Sequence, residues 1–442
     1  MGIVLCLLAF IASFVVARRS LGHGLGLVLA IGCVYGWLRA NLLDGFTHFT
    51  FDMALTGLYV STLPRLKPMR ASGSNYVTIW TAFLIGWPLM LILISPFLNA
   101  PHLFVQIAGL RNAILFAPLA LLGGALGHED LRKFGLWAEW CVVLVSCFTV
   151  AEWLFGLQIV YPLNEATLLI YVSRDIVGDY YRLPSSFVSS HVYGGTMVAL
   201  LPLFFGRLEG NSRRRLLNAI AGALVALGVF ACGARLPVVL LGLIVAGMLL
   251  QMRHGLIATF FLIAMMAVVA YSVSQSERLQ RFETLGDTEM VASRLSQSLN
   301  MSFWEILTDY PMGKGLGSAA GTSVPFFLAE YAKPPVGIEN EFARLLVEEG
   351  VLGLLGWTGF VAWALGRSTI GLHRRSAGAV GMWIFCAGTW ISGLIGLGIL
   401  AAIPTTMLLL LYLGKLSCDA PLENAGKDQG WSQSEAHAVE MS

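Results

Sequence analysis

The chain has 442 residues, of which 57% are hydrophobic and only 12% charged, with a formal net charge of +2. A soluble domain carries about 25% charged residues, so these repeated apolar runs exclude a soluble globular protein and imply a polytopic helical membrane protein. The runs are continuous rather than alternating, which argues against a membrane β-barrel.

Apolar segments are predicted at 2–17, 21–38, 46–63, 76–98, 103–126, 134–156, 186–206, 215–232, 235–252, 255–274, 341–365, 377–396 and 397–414. They give an all-α transmembrane bundle of about 12–13 spans with one large, partly helical external loop. The first run starts at Gly2 with no basic residue before it, and Arg18-Arg19 follow it, the reverse of signal-peptide order. The chain divides into helices over 1–275, a large loop over 276–340, C-terminal helices over 341–414, and a polar tail over 415–442 expected to be disordered and cytoplasmic.

Basic residues orient the spans. Arg18-Arg19, Arg65 to Arg70, Arg132-Lys133, Arg207 to Arg215, Arg253 and Arg367 to Arg375 fall in alternate connections, so all can face the cytoplasm together. The opposite connections are 39–45, 99–102, 157–185, 233–234, 275–340 and the turn near 397. Two of these are long, 157–185 and 275–340, and loops of that length are usually functional or disordered. The second holds Phe282, Phe303, Trp304, Ile306, Leu307, Phe326 and Phe327, too apolar for disorder. Apolar positions within 291–309 are spaced for an amphipathic surface helix. Pro311, Gly313, Gly315 and Gly317 then force a turn, and the same glycines are open to a second reading, phosphate contact through their amides.

Arginines on the outer side carry the chemical signal. Arg182, Arg278, Arg281 and Arg294 lie where the positive-inside rule depletes arginine, and Arg235 sits at a membrane boundary between two apolar helices. Each alone fits a lipid headgroup contact. Several converging on one face would bind a phosphorylated headgroup bidentately. Glu339 and Asn340 close the large loop; they either cap the next helix or form a polar pair facing the loop. Arg344 and Glu348 can pair at i,i+4, and Glu349 lies about 12–15 Å into its helix. Glu152, His191 and Tyr193 read as satisfied interior polar groups. The seven cysteines read as small core residues, with no C-x-x-C among them.

Four features in order give a resemblance. They are Arg182-Leu183-Pro184-Ser185-Ser186-Phe187 with Tyr193-Gly194-Gly195; Gly233-Ala234-Arg235; Arg294 to Trp304 with Tyr310-Pro311-Met312-Gly313-Lys314-Gly315-Leu316-Gly317; and Glu339-Asn340-Glu341-Phe342 with Glu349-Gly350-Val351-Leu352-Gly353. Over roughly 180–365 the chain resembles the O-antigen ligase and polymerase superfamily of bacterial inner-membrane glycosyltransferases. The resemblance implies a metal-independent enzyme without cofactor, multi-pass in the bacterial inner membrane, with its active site facing the periplasm. It would take a glycan from undecaprenyl pyrophosphate and pass it to an acceptor sugar, for O-antigen or exopolysaccharide synthesis. Arg182, Arg235, Arg278, Arg281 and Arg294 would bind the pyrophosphate, and Glu339 and Asn340 would be catalytic. The family's ligases carry histidine where this chain has Glu339, which favours a polymerase over a ligase that uses lipid A–core. The bilayer, a glycan acceptor and a chain-length regulator are the expected partners, and nucleic acid is not. A transporter or flippase is the weaker alternative: no internal repeat is visible, and transporters commonly show one.

Overall fold

The computed structural model describes residues 1–66, 74–98, 100–164, 167, 182–205, 212–251, 289, 292–293, 296, 303–319, 328, 331, 338, 340–372 and 375–419. Among them the protein is all-α, a polytopic bundle with no strand. Its helices are α1 (Gly2–Arg19), α2 (Leu21–Asn41), α3 (Thr50–Thr62), α4 (Ser74–Ile94), α5 (Leu103–Phe116), α6 (Leu119–Ala125), α7 (His128–Phe155), α8 (Ser190–Phe205), α9 (Ser212–Ala231) and α10 (Arg235–Gln251). There follow α11 (Phe303–Asp309), α12 (Glu341–Thr369), α13 (Ala377–Ser392) and α14 (Thr405–Cys418). Six helical stretches among the described residues are long and apolar enough to cross a membrane. The predicted span 255–274, most of the 157–185 loop, and the tail beyond Asp419 lie outside the described residues.

The surface identifies the solvent. Ile3, Val4, Leu7, Leu8, Ile11 and Val15 of α1 point outward, as do Trp140, Val143, Val150 and Leu154 of α7. Large apolar side chains on an outer face cost free energy in water but none against lipid tails. The centre is α14, whose Met407 to Leu413 are buried on every side, as expected for a helix apolar all round. Small residues bring it close to α6. A Cβ added at Gly123 would lie 2.1 Å from the Leu411 carbonyl oxygen, and one at Gly414 would lie 1.9 Å from that of Ala120. The two helices therefore cross at near-backbone contact, as glycine allows between membrane helices.

Several boundaries differ from the sequence reading. The predicted span 103–126 is two helices, since Pro118 has no N–H to continue α5. The seventh span starts at Ser190 rather than 186, because 183–189 is an ordered turn. The last pair is separated by a long irregular stretch, 393–404, and not by a turn near 397. Gly393, Gly396 and Gly398 with Pro404 break the pattern there, and the final helix shifts to Thr405–Cys418. Lys415 thus belongs to α14, where it pairs with Asp419 at 2.7 Å.

Irregular backbone within a bilayer is tolerated only where protein satisfies its polar groups. Glu341 does this for the 393–404 stretch. Its buried carboxylate accepts the backbone N–H groups of Gly398 at 2.7 Å, Ile399 at 3.3 Å and Leu400 at 3.2 Å. Its own N–H donates to the carbonyls of Gly393 and Gly396. On its other side it accepts from Arg344 Nη2 at 2.6 Å, and Arg344 Nη1 reaches Glu348 one turn on. The expected Arg344–Glu348 pair is thus present, and Glu341 extends it into a triad with one cation between two carboxylates.

The turn expected at Pro311–Gly317 is present and has a specific seat. Helix α12 is interrupted at Gly350, with φ 69° and ψ −170°. The groups freed by that break find partners outside the helix. Val351 N–H donates to the Pro311 carbonyl at 2.9 Å, and the Val347 carbonyl accepts from Lys314 N–H at 2.7 Å and from Ser318 Oγ at 3.2 Å. The Glu349 carbonyl accepts from the Trp87 indole of α4 at 2.8 Å. Residues 311–318 therefore fill a slot in α12, and Gly317 passes against Val105 of α5. Before the turn, α11 lays Ile306 on Ala343, Leu346 and Val347 and leaves Trp304 exposed, amphipathic as expected for the end of 291–309; most of 291–302 lies outside the described residues.

Candidate functional site

Arg182 is positioned by the turn that follows it. Ser185 adopts a positive φ of 53°. Three bonds hold that unfavourable backbone. Ser185 N–H donates to Glu152 Oε2 at 2.9 Å, Ser185 Oγ donates to the Val145 carbonyl at 2.9 Å, and Ser186 Oγ donates to the Cys33 carbonyl at 2.5 Å. Trp37 N–H of α2 returns a bond to the Ser186 carbonyl at 3.0 Å. Leu183 and Phe187 are buried beneath, and Phe187 stacks on Tyr193 with centroids 5.6 Å apart. The turn is thus nailed to α2 and α7, and it leaves Arg182 half-buried at one end of the bundle.

There Arg182 Nη1 lies 2.8 Å from His191 Nε2. The stem of Arg182 crosses the α9–α10 connection: a Cβ built at Gly233 would lie 3.7 Å from Arg182 Cγ. Two residues further on, Arg235 starts α10 and is also half-buried. Two arginines 53 positions apart in sequence are therefore carried to the same short connection. His191 is exposed at this place and not an interior polar group, which corrects the sequence reading. Tyr193 reads correctly, and Glu152 is interior but only half satisfied, its Oε1 having no hydrogen bond among the described residues. The first is buried with its hydroxyl 2.7 Å from Thr149 Oγ1, and the second is buried under Ser185.

Asn340 is buried at the start of α12. Its Oδ1 accepts Ala343 N–H at 2.7 Å, so of the two roles open from sequence it fills the capping one. A continuous path joins it to Arg182. His191 precedes Val192, whose carbonyl accepts from Thr405 Oγ1 at 3.4 Å. Thr406 Oγ1 donates to the Ile399 carbonyl at 2.7 Å, and Ile399 N–H bonds Glu341, the neighbour of Asn340. The 393–404 stretch is the bridge between the arginine pair and the head of α12.

Glu339, Arg278, Arg281 and Arg294 lie outside the described residues. Of the anticipated site, the structure brings Arg182 to the connection that bears Arg235 and links that place to Asn340. Sequence reasoning missed Glu341, although its i,i+3 spacing to Arg344 was a usable signal. It also missed Arg39, left in the 39–45 connection, and Asp52 and Arg111, single charges lost inside two apolar segments. Gly313 packs on α12, Gly315 on Ala100 and Gly317 on Val105 of α5, as the turn reading expects.

The chain matches no protein-family model and no curated protein.

Proposed function

We propose that the chain is a membrane glycosyltransferase that moves or polymerises undecaprenyl-pyrophosphate-linked oligosaccharide on the periplasmic face of a bacterial inner membrane. The observation that carries this reading is the meeting of Arg182 with the Gly233–Arg235 connection, beside exposed His191. The resemblance over 180–365 supports it. In the reaction an acceptor hydroxyl attacks the anomeric carbon, and the bond from that carbon to the pyrophosphate oxygen breaks. The pyrophosphate leaves with the electron pair. Guanidinium groups stabilise that leaving charge through bidentate hydrogen bonds, and they remain protonated while doing so. The hydroxyl proton needs an acceptor, and Glu339 is the proposed one. Asn340 and Glu341 hold the backbone that follows it.

A polymerase is the favoured form, because Glu339 stands where ligases of the resembled family carry histidine. Deletion of the gene followed by analysis of surface glycan separates the cases. Loss of long chains, with single repeats still attached to their acceptor, fits a polymerase; loss of all attached glycan fits a ligase. Unchanged glycan in both the deletion strain and an Arg182→Ala strain removes the reading.

A further inference from the structure

A second group of charges lies between α2, α3 and α5, outside the site described above. Arg39 and Tyr35 are one turn apart on α2, and the Arg39 guanidinium sits 5.3 Å from the Tyr35 ring centroid. Arg111 of α5 approaches Asp52 of α3, with Nε 3.4 Å from Oδ2, and lies 6.0 Å from the Phe49 ring centroid. The side chains of Arg111 and Asp52 are only 16% and 9% exposed. Asp52 and His48 each feel the charge of both arginines, so the four groups form one cluster.

Among the described residues the charges do not balance. Two guanidinium groups face one carboxylate, and the other carboxylate on this connection, Asp44, is already held by the Met1 amino group and the N–H groups of Gly2 and Phe46. Hydrogen bonding is also incomplete. Arg111 Nε and Nη1, Arg39 Nε and both Asp52 oxygens are buried without a hydrogen bond among the described residues, the 3.4 Å ion pair being too poorly aligned to supply one. Gln106 Oε1 and Asn112 Nδ2 on α5 are buried and unbonded too. A buried unpaired cation is costly, and proteins seldom leave one without a counter-charge. Guanidinium donors in a fixed fork suit a phosphate oxygen pair best.

We infer that Arg39 and Arg111 form an anion site for a phosphate or pyrophosphate group, entered from the end of the bundle that carries the 42–49 connection. Asp52 sets the orientation of Arg111 and lowers the net charge of the site from two to one. The site's residues, on α2, α3 and α5, are distinct from the Arg182 pair, although Arg39 also acts on Tyr161, whose hydroxyl bonds the Phe187 carbonyl of the 183–189 turn. It stands whether or not the chain is a transferase.

The test is binding, read independently of glycan transfer. Full-length protein carrying Arg182→Gln, in a neutral detergent, is titrated with inorganic pyrophosphate. The same protein in nanodiscs of phosphatidylcholine or phosphatidylglycerol is assayed by native mass spectrometry for retained lipid. Adding Arg111→Gln should weaken one of these probes at least tenfold, and the probe affected says whether soluble or lipid-borne phosphate is the occupant. Asp52→Asn, nearly isosteric, should tighten the same probe by removing the competing carboxylate. Opposite signs for the two variants cannot come from a general loss of fold. Neither probe responding to Arg111→Gln, or Asp52→Asn weakening the binding, overturns the inference.

Discussion

Replacing Gly350 by alanine tests the slot in α12. With φ 69° and ψ −170°, Gly350 occupies backbone space that is nearly closed to other residues. Holding alanine there costs about 1–3 kcal/mol. The new methyl also has nowhere to go: a Cβ would lie 2.5 Å from the Met312 carbonyl carbon and 2.7 Å from the Pro311 oxygen. Overpacking of that kind adds about 1–3 kcal/mol. If α12 instead closes into a regular helix, the Pro311 carbonyl and Lys314 N–H lose their partners, at about 1–3 kcal/mol for each buried group. Either route sums to about 2–6 kcal/mol, a large share of a typical stability of about 5–15 kcal/mol. Gly366 on the same helix is the control, since a Cβ there meets nothing within 4 Å. Alanine at Gly366 should leave stability unchanged or raise it by about 0.5–1 kcal/mol. The assay is the thermal midpoint of purified protein in detergent, with size exclusion to score folded material. A Gly350→Ala protein that melts with the wild type refutes the plugged-slot reasoning.

Three further outcomes are expected. Glu341→Ala should cost about 3–5 kcal/mol, because it leaves Arg344 with one partner and orphans the N–H groups of 398–400; Glu341→Gln should cost less in the same melting assay, since it keeps an acceptor oxygen. Arg182→Lys should lower polymer yield at least tenfold, as lysine keeps the charge but lacks the bidentate fork, and wild-type yield in that strain counts against the pyrophosphate role. Asp44 makes an acid-side prediction. Backbone N–H groups of Phe46 and Gly2, with the Met1 amino group, hold its carboxyl below the ordinary range. Its stabilisation is therefore complete above an unfolded value of about 4 and lost as pH falls through the lower folded value. Asp44→Asn should flatten the midpoint-versus-pH curve in that window alone, and an unchanged slope rules the linkage out.

The spans were legible because a bilayer demands long apolar runs, and every predicted segment within the described residues is largely helical. The Pro311–Gly317 turn was legible from its glycines. Its seat was not, since the bonds from Val351 to Pro311 and from Lys314 to Val347 leave no periodic trace. The same holds for 393–404, whose apolar composition hid irregular backbone, because the carboxylate that satisfies it belongs to Glu341 more than fifty residues away. Arginines in loops drew notice because they were unusual there. Arg111 did not, since a lone charge in an apolar segment says nothing until its neighbours are known, and Arg39 was passed over in the short 39–45 connection although α2 runs on to Asn41. His191 was misplaced for a related reason. Its helix is mostly buried, Ser190 and Tyr193 included, and only the structure shows that His191 alone of the first turn is exposed.

The two turns seated on helices also impose an order of manufacture. Residues 311–318 leave the ribosome before α12, so the slot at Gly350 can close around a partner already made. The anchor of Ser186 on Cys33 runs the other way, the two being 153 positions apart. At about 5–20 residues per second, α2 waits on the order of 8–30 s for Ser186 after its own synthesis. During that interval the cell holds an N-terminal fragment whose Gly36 lacks the Ser186–Val188 backbone that packs directly on it, and truncations ending between α7 and Ser186 should be the forms that membrane quality control removes.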